Sequence, residues 1–168
     1  MIFVTVGTHE QPFNRLVKAI DDLKADGTIS VDEPVFIQTG FSTYEPQHCK
    51  WAELLSYEDM QSYIREARIV ITHGGPSSFL APLQLGKIPI VMPRRVEYGE
   101  HVNDHQAEFV KDVAERFDNI IVVDDKTELA AAIADYDKLI KNKTDVAVSH
   151  NLEFCKTFSV IANELLLK

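Results

Sequence analysis

No apolar run in this chain approaches the roughly 20 residues that cross a bilayer as a helix. The first residues, Met1-Ile2-Phe3-Val4-Thr5-Val6, have no basic region before them and no small-residue cleavage site after them, so they are expected to be a strand rather than a signal peptide. Positive charge is also scarce: 17 Lys and Arg stand against 26 Asp and Glu, a net charge of −9. A broad nucleic-acid surface needs clustered cations, and this balance argues against one. It leaves room for one small anion site built from backbone dipoles. Cysteine is limited to Cys49 and Cys155, without metal-type spacing, and a reduced, cytosolic chain is the simpler reading. Neither a Gly-x-Gly-x-x-Gly fingerprint nor a P-loop Gly-Lys-Ser/Thr is present, which weakens NAD and ATP readings.

What remains is an ordinary globular composition, 45% hydrophobic and 26% charged over 168 residues, enough for one well-buried domain. Apolar strands are expected at 2–6, 34–38, 69–72, 88–92 and 119–123, with a weaker one at 49–55. Between them, 3.6-residue periodicity predicts helices. One opens at Pro12 with Phe13, Leu16, Val17, Ile20 and Leu23 inward; others cover Tyr57 to Ala67, 76–86, 103–116 and Leu129 to Ile140. Residues 142–149 look like a connector. A last helix carries Leu152, Cys155, Phe158, Ile161 and Leu165 on one face, widened by Phe154 and Leu166. Strands alternating with helices imply an α/β fold, a doubly wound parallel sheet. Ligands in such folds bind beyond the carboxyl ends of the strands. That rule gathers Gly7–Gln11, Gln38–Phe41, Thr72–Ser78 and Pro93–Gln106 along one rim.

The most specific signal is Thr72-His73-Gly74-Gly75-Pro76-Ser77-Ser78, where a strand feeds a helix through two glycines. Free N–H groups and the positive end of the helix dipole then point at one place, which suits a diphosphate. Ser77 and Ser78 fit a helix start that is both capped and open to an anion. The Gly7-Thr8-His9 turn is either a second wall of that site or only a tight strand-to-helix connection. His9 is a candidate general base, since imidazole titrates near neutrality. His101, Asp104 and His105 invite a metal reading, but Asp104 and His105 diverge on a helix and no further ligand is near; no metal is expected. Asn103, Asp104, His105 and Gln106 are better suited to sugar hydroxyls. Arg94 and Arg95 are either a solvated pair or the contact for a second, phosphate-bearing substrate.

Val4-Thr5-Val6-Gly7-Thr8-His9-Glu10-Gln11-Pro12-Phe13, together with His73-Gly74-Gly75-Pro76-Ser77-Ser78 and Asn103-Asp104-His105-Gln106, resembles the donor-binding half of a GT-B glycosyltransferase. The type is that of the family 28 C-terminal domain. More narrowly, it is similar to the small catalytic subunit of two-part transferases. These include bacterial capsule and exopolysaccharide subunits and the eukaryotic subunit that adds the second N-acetylglucosamine to dolichol diphosphate. The resemblance runs from Ile2 to about Val123 and extends loosely to the C-terminal helix. It implies a Rossmann-like fold, with Gly7, Thr8, His73, Gly74, Gly75, Ser77 and Ser78 at the UDP diphosphate. It assigns Asn103, Asp104, His105 and Gln106 to the donor sugar. Relatives usually carry an acidic residue eight positions after the motif His, bonding the ribose; here that position is Ala81.

The expectation is therefore a single domain over 1–168 that transfers a hexose from a UDP-sugar to a lipid-diphosphate-linked saccharide. The transfer is expected to invert the anomeric centre without metal or other cofactor, because loop N–H groups and helix dipoles stabilise departing UDP. His9 is the expected base, with a partner residue as the alternative. A membrane-anchored partner is expected to present the acceptor, because GT-B enzymes bind it on a second domain. That places the chain in the cytoplasm, peripheral at the inner face of the membrane. The helix over 149–168 either docks that partner or packs back on the sheet. The competing reading is a non-catalytic nucleotide-binding or regulatory module of a polysaccharide synthase. A sugar-nucleotide epimerase or hydrolase is disfavoured, because one domain does not enclose the sugar.

Overall fold

The computed structural model describes residues 1–141, 143 and 151–166, with side chains of the last helix described over 155–162. Six strands, β1 (Ile2–Thr5), β2 (Val35–Gln38), β3 (Lys50–Ala52), β4 (Ile69–His73), β5 (Ile90–Met92) and β6 (Ile121–Val122), form one sheet of order β3-β2-β1-β4-β5-β6. Every pairing is parallel. Among the described residues seven α-helices accompany it: α1 (Asn14–Ala25), α2 (Tyr57–Glu66), α3 (Pro76–Gln84), α4 (His105–Phe117), α5 (Lys126–Ala134), α6 (Tyr136–Lys141) and α7 (Asn151–Leu166). The doubly wound α/β fold expected from the sequence is present.

Burial explains the strands. All four residues of β1 and all five of β4 are buried, as a sheet covered on both faces requires. One face carries Ile2, Val4, Ile37, Ile71 and Ile90 against Leu16, Val17 and Ile20 of α1 and Leu129 and Ile133 of α5. The other splits in two, with Phe3 and Val70 packed on Ile64 of α2, and Val91 packed on Phe79 and Leu83 of α3 and Val110 of α4. The chain leaves β1 to one side for β2 and returns on the other for β4. The crevice at that reversal, beyond the carboxyl ends of β1 and β4, is where such sheets hold ligands.

Local chemistry moved several boundaries. Helix α1 starts two residues after Pro12, because the Phe13 N–H donates to Ser42 Oγ at 3.1 Å and holds Phe13 outside the helix. The expected 49–55 strand contracts to three residues. The Leu129–Ile140 helix breaks at Asp135, whose carbonyl accepts from both Lys138 and Leu139 N–H at 2.9 Å. A short 3-10 turn, Val96–Tyr98, was not anticipated. The connector at 142–149 lies outside the described residues apart from Lys143, as do the side chains of Leu152, Phe154, Leu165 and Leu166. Residues 155–161 of α7 are all exposed, and Phe158 retains 59% of its surface. Among the described residues no helix is long and apolar enough to cross a membrane.

Candidate functional site

The turn after β1 reverses through Gly7, whose φ of +76° is a left-handed conformation that side chains disfavour. Thr5 holds it from below: its hydroxyl accepts from the Gly7 N–H at 3.2 Å and donates to Gln38 Oε1. The Gln38 amide then donates to Gly7 O at 3.1 Å and Glu53 O at 2.9 Å. A buried glutamine thus ties the ends of β1 and β2 to the loop after β3.

Opposite lies the end of β4. The His73 ring is packed between Gly7 and Gly75, and a Cβ at either glycine would strike it. Its Nδ1 accepts from the Gly75 N–H at 3.0 Å, so Nε2 carries the proton and donates to Ser78 Oγ at 2.9 Å. Burial, then the nearby Arg94 charge, pushes the His73 pKa down to about 4. The ring is a neutral pin at neutral pH. Helix α3 begins at Pro76, with Gly75 as its N-cap and no side-chain cap. The expected hydroxyl capping is absent: Ser78 is held by His73 instead, and the positive end of the helix is left to a ligand.

These two turns face one cleft of about 570 Å³. Gly7, Thr8 and His9 line it from the first turn, and His73, Ser77 and Ser78 from the second. Gln38, expected on the rim as part of Gln38–Phe41, lies at the floor. The sequence did not single out Tyr57, Met60 and Gln61 of α2, which form the outer wall; nothing marked them as such. Ala81 is in the cleft wall. Gly74 is turned away, packed on Gln106 and Val110, and opens on a second cleft of about 390 Å³ with His105 and Gln106.

The Asn103–Gln106 cluster does not act as one surface. Gln106 Oε1 sits 3.5 Å from His73 Nδ1 and 3.4 Å from the Arg94 N–H, next to the turn after β4. Asp104 instead accepts the Val96 N–H at 3.0 Å and lines a separate cleft with Arg95 and Asp124. Asn103 Oδ1 accepts the His105 N–H at 3.3 Å at the start of α4. His101 accepts the Asn103 N–H at Nδ1, at 3.4 Å, and its ring stacks on His9, centroids 4.7 Å apart.

Arg94 departs from both readings of the sequence. Arg94 is completely buried. It donates to Gln11 O at 2.7 Å, Glu100 O at 3.0 Å and Val6 O at 2.9 Å, with the guanidinium over the Phe13 ring. Burial lowers its pKa to about 10, so it remains cationic at neutral pH but out of reach of an incoming phosphate. Arg95 pairs with Asp124. Glu100, also buried, receives Arg15 at 3.0 and 2.8 Å and the Arg95 N–H at 3.0 Å. The pair is a brace for the rim.

Residues 1–163 match the family described as "Glycosyltransferase family 28 C-terminal domain". No curated protein sequence matches the chain. Among solved structures it is similar to CalG4, the calicheamicin glycosyltransferase, at 12% identity and a TM-score of 0.57, covering 98% of this chain and 43% of that one. The glycotransferase of kitacinnamycin is 16% identical at a TM-score of 0.55, covering 80% of this chain and 34% of that one. SnogD, a glycosyltransferase from Streptomyces nogalater, is 15% identical at a TM-score of 0.50, covering 86% and 40%. The chain therefore spans less than half the length of these structures, and likeness at such identity carries the fold alone.

Proposed function

The chain belongs to the glycosyltransferase family 28 C-terminal-domain family, and from that premise we propose that it binds a UDP-sugar and transfers its hexose to a lipid-diphosphate-linked saccharide. One observation carries the reading. The Gly7–His9 turn and the uncapped start of α3 border a single cleft at the reversal of the strand order. The diphosphate lies against Gly7, Thr8, Ser77 and Ser78, where turn N–H groups, two hydroxyls and the helix dipole oppose its charge. The nucleoside extends toward Tyr57, Met60 and Gln61. The sugar reaches toward His9 and Gln106.

In this mechanism His9 takes the proton from the acceptor hydroxyl as that oxygen attacks the anomeric carbon. The carbon–oxygen bond to UDP breaks on the opposite face, giving inversion, and UDP leaves with the bonding pair. One contact supports that role. The Gln11 amide oxygen, 2.9 Å from Nε2, accepts the ring N–H there and leaves the Nδ1 lone pair free. The leaving group is stabilised by the donors already named, without a metal. A membrane-anchored partner supplies the acceptor in capsular or exopolysaccharide synthesis. The exposed Phe158, Val160 and Ile161 of α7 are its docking face, and the chain works at the inner face of the membrane through it.

Titration of UDP into the chain, followed by UDP release from UDP-glucose or UDP-galactose with native membranes and EDTA, tests this. Binding together with membrane-dependent release supports it; absence of UDP binding overturns it. A second reading, a nucleotide-binding module without turnover, is favoured by Ala81 in the cleft wall, where relatives hold the ribose with a carboxylate. UDP binding without release under any membrane supplement would select it.

A further inference from the structure

His9 and His101 belong to different loops, 92 positions apart in sequence, yet their rings stack at 4.7 Å with planes inclined by 26°. Only His9 lines the cleft; His101 is not part of its lining. Two surface loops do not hold such a contact unaided, since ordering each side chain costs rotamer entropy.

The support is Arg94. One of its terminal nitrogens, Nη1, donates to both Gln11 O and Glu100 O, at 2.7 and 3.0 Å. Those carbonyls belong to the residue two after His9 and the residue just before His101. The other terminal nitrogen bonds Val6 O at the start of the His9 turn. Arg94 makes no ion pair among the described residues, and its Nε–H has no partner there. A buried cation satisfied largely by carbonyls is expensive to keep for stability alone. Glu100 is also fixed by Arg15, so the residue just before His101 is held twice, through its carbonyl and through its carboxylate.

We propose that His101 is a positioning residue for His9, its ring face holding the His9 imidazole toward the cleft, with the buried Arg94 guanidinium setting the separation of the two loops. The inference rests on the reading of His9 as the general base. It assigns the ring a fixed tautomer as well as a fixed place: Gln11 accepts from Nε2, and stacking on His101 prevents the rotation that would break that bond. His101 itself touches no substrate. A neutral aromatic face is all the role demands.

The test compares His101→Ala, His101→Phe and His9→Ala in the full chain. Histidine 15N spectra of the chain report the His9 tautomer directly. Turnover is read as UDP release from UDP-galactose or UDP-glucose with native membranes. His101→Ala is expected to lower kcat about tenfold with donor KM nearly unchanged, the scale of a displaced rather than deleted catalytic group. Its His9 nitrogens should drift from one tautomer to an averaged pair. His101→Phe should restore most of kcat and the single tautomer. Unchanged His9 nitrogens in His101→Ala, or a folded His101→Phe as impaired as His101→Ala, would overturn the proposal. Full turnover in His9→Ala would instead remove the base assignment, and the nitrogen spectra would still decide whether His101 orders the ring.

Discussion

His73 Nε2 lies 2.9 Å from Ser78 Oγ, and the direction of that bond is fixed by a neighbour. The Gly75 N–H occupies Nδ1, so the imidazole donates and the serine accepts. The Ser78 hydroxyl hydrogen is then free to turn toward the cleft. A strand end, a helix start and a hydroxyl on the cleft wall are thus joined through one neutral ring.

Ser78→Ala removes that hydroxyl and leaves the His73 N–H unpaired. UDP affinity should fall by about 0.5–1.5 kcal/mol, one net hydrogen bond, and Ser77→Ala should lose a similar amount. Gly75→Val acts differently, because its side chain would strike His73; thermal stability and UDP binding should fall together. Calorimetry showing wild-type affinity in all three variants would place the diphosphate elsewhere.

The same ring makes the fold acid-sensitive. Burial holds the His73 pKa down at about 4, against about 6.5 in the unfolded chain. Between those values the unfolded state binds a proton that the native state refuses, so stability falls as pH drops from 6.5 toward 4. At pH 5 the loss from this residue is about 2 kcal/mol. His73→Asn keeps an acceptor near Nδ1 and does not titrate, so urea midpoints of the variant should vary less from pH 7 to 5. Parallel profiles would show that His73 protonates without penalty.

A buried carboxylate has a lower pH window. Burial pushes the Asp21 pKa up, but hydrogen bonds from the Gln47 and His48 backbone and the Tyr44 hydroxyl outweigh it and hold the carboxyl below its ordinary value. With the Cys49 N–H, four donors converge on it at 2.8–3.1 Å. Asp21→Asn turns an amide N–H₂ toward those donors and should cost about 3 kcal/mol at pH 7. Because the folded pKa is depressed, the wild-type advantage is complete above about pH 4 and is lost as pH falls through the folded value. Unfolding curves at pH 7 and pH 3 should show the gap closing; a constant gap would mean that the charge is irrelevant.

The rim was legible in the sequence because glycines and strand ends mark it locally. Gly7 and His73-Gly74-Gly75 announced two turns, and the α/β alternation put them at one edge. What local sequence could not reveal was how side chains distribute across long separations. His73, expected at the ligand, lines the cleft and is also a pin between two glycines. Arg94, read as surface charge, is buried because carbonyls from positions 6, 11 and 100 converge on it. Such partners carry no motif. The α2 wall was missed for the same reason, since Tyr57, Met60 and Gln61 fit an ordinary amphipathic helix and become a cleft wall only through packing.

Gln106 and Asp104 separate most sharply where the sequence grouped them. Gln106 reaches the turn after β4 beside His73, whereas Asp104 holds the Val96 N–H and faces another cleft. On the proposed placement of the diphosphate at Ser77 and Ser78, the attached sugar would pass Gln106 and not Asp104. Gln106→Ala should therefore reduce turnover of the UDP-sugar by about tenfold while UDP affinity changes little, since its partner lies beyond the nucleotide. Asp104→Asn should leave both within about twofold and lower stability by less than about 1.5 kcal/mol, because an amide oxygen still accepts the Val96 N–H. Both variants are read by UDP calorimetry beside UDP release with native membranes. A loss of turnover confined to Asp104→Asn would place the sugar on the far side of α4 and require a different path for the donor.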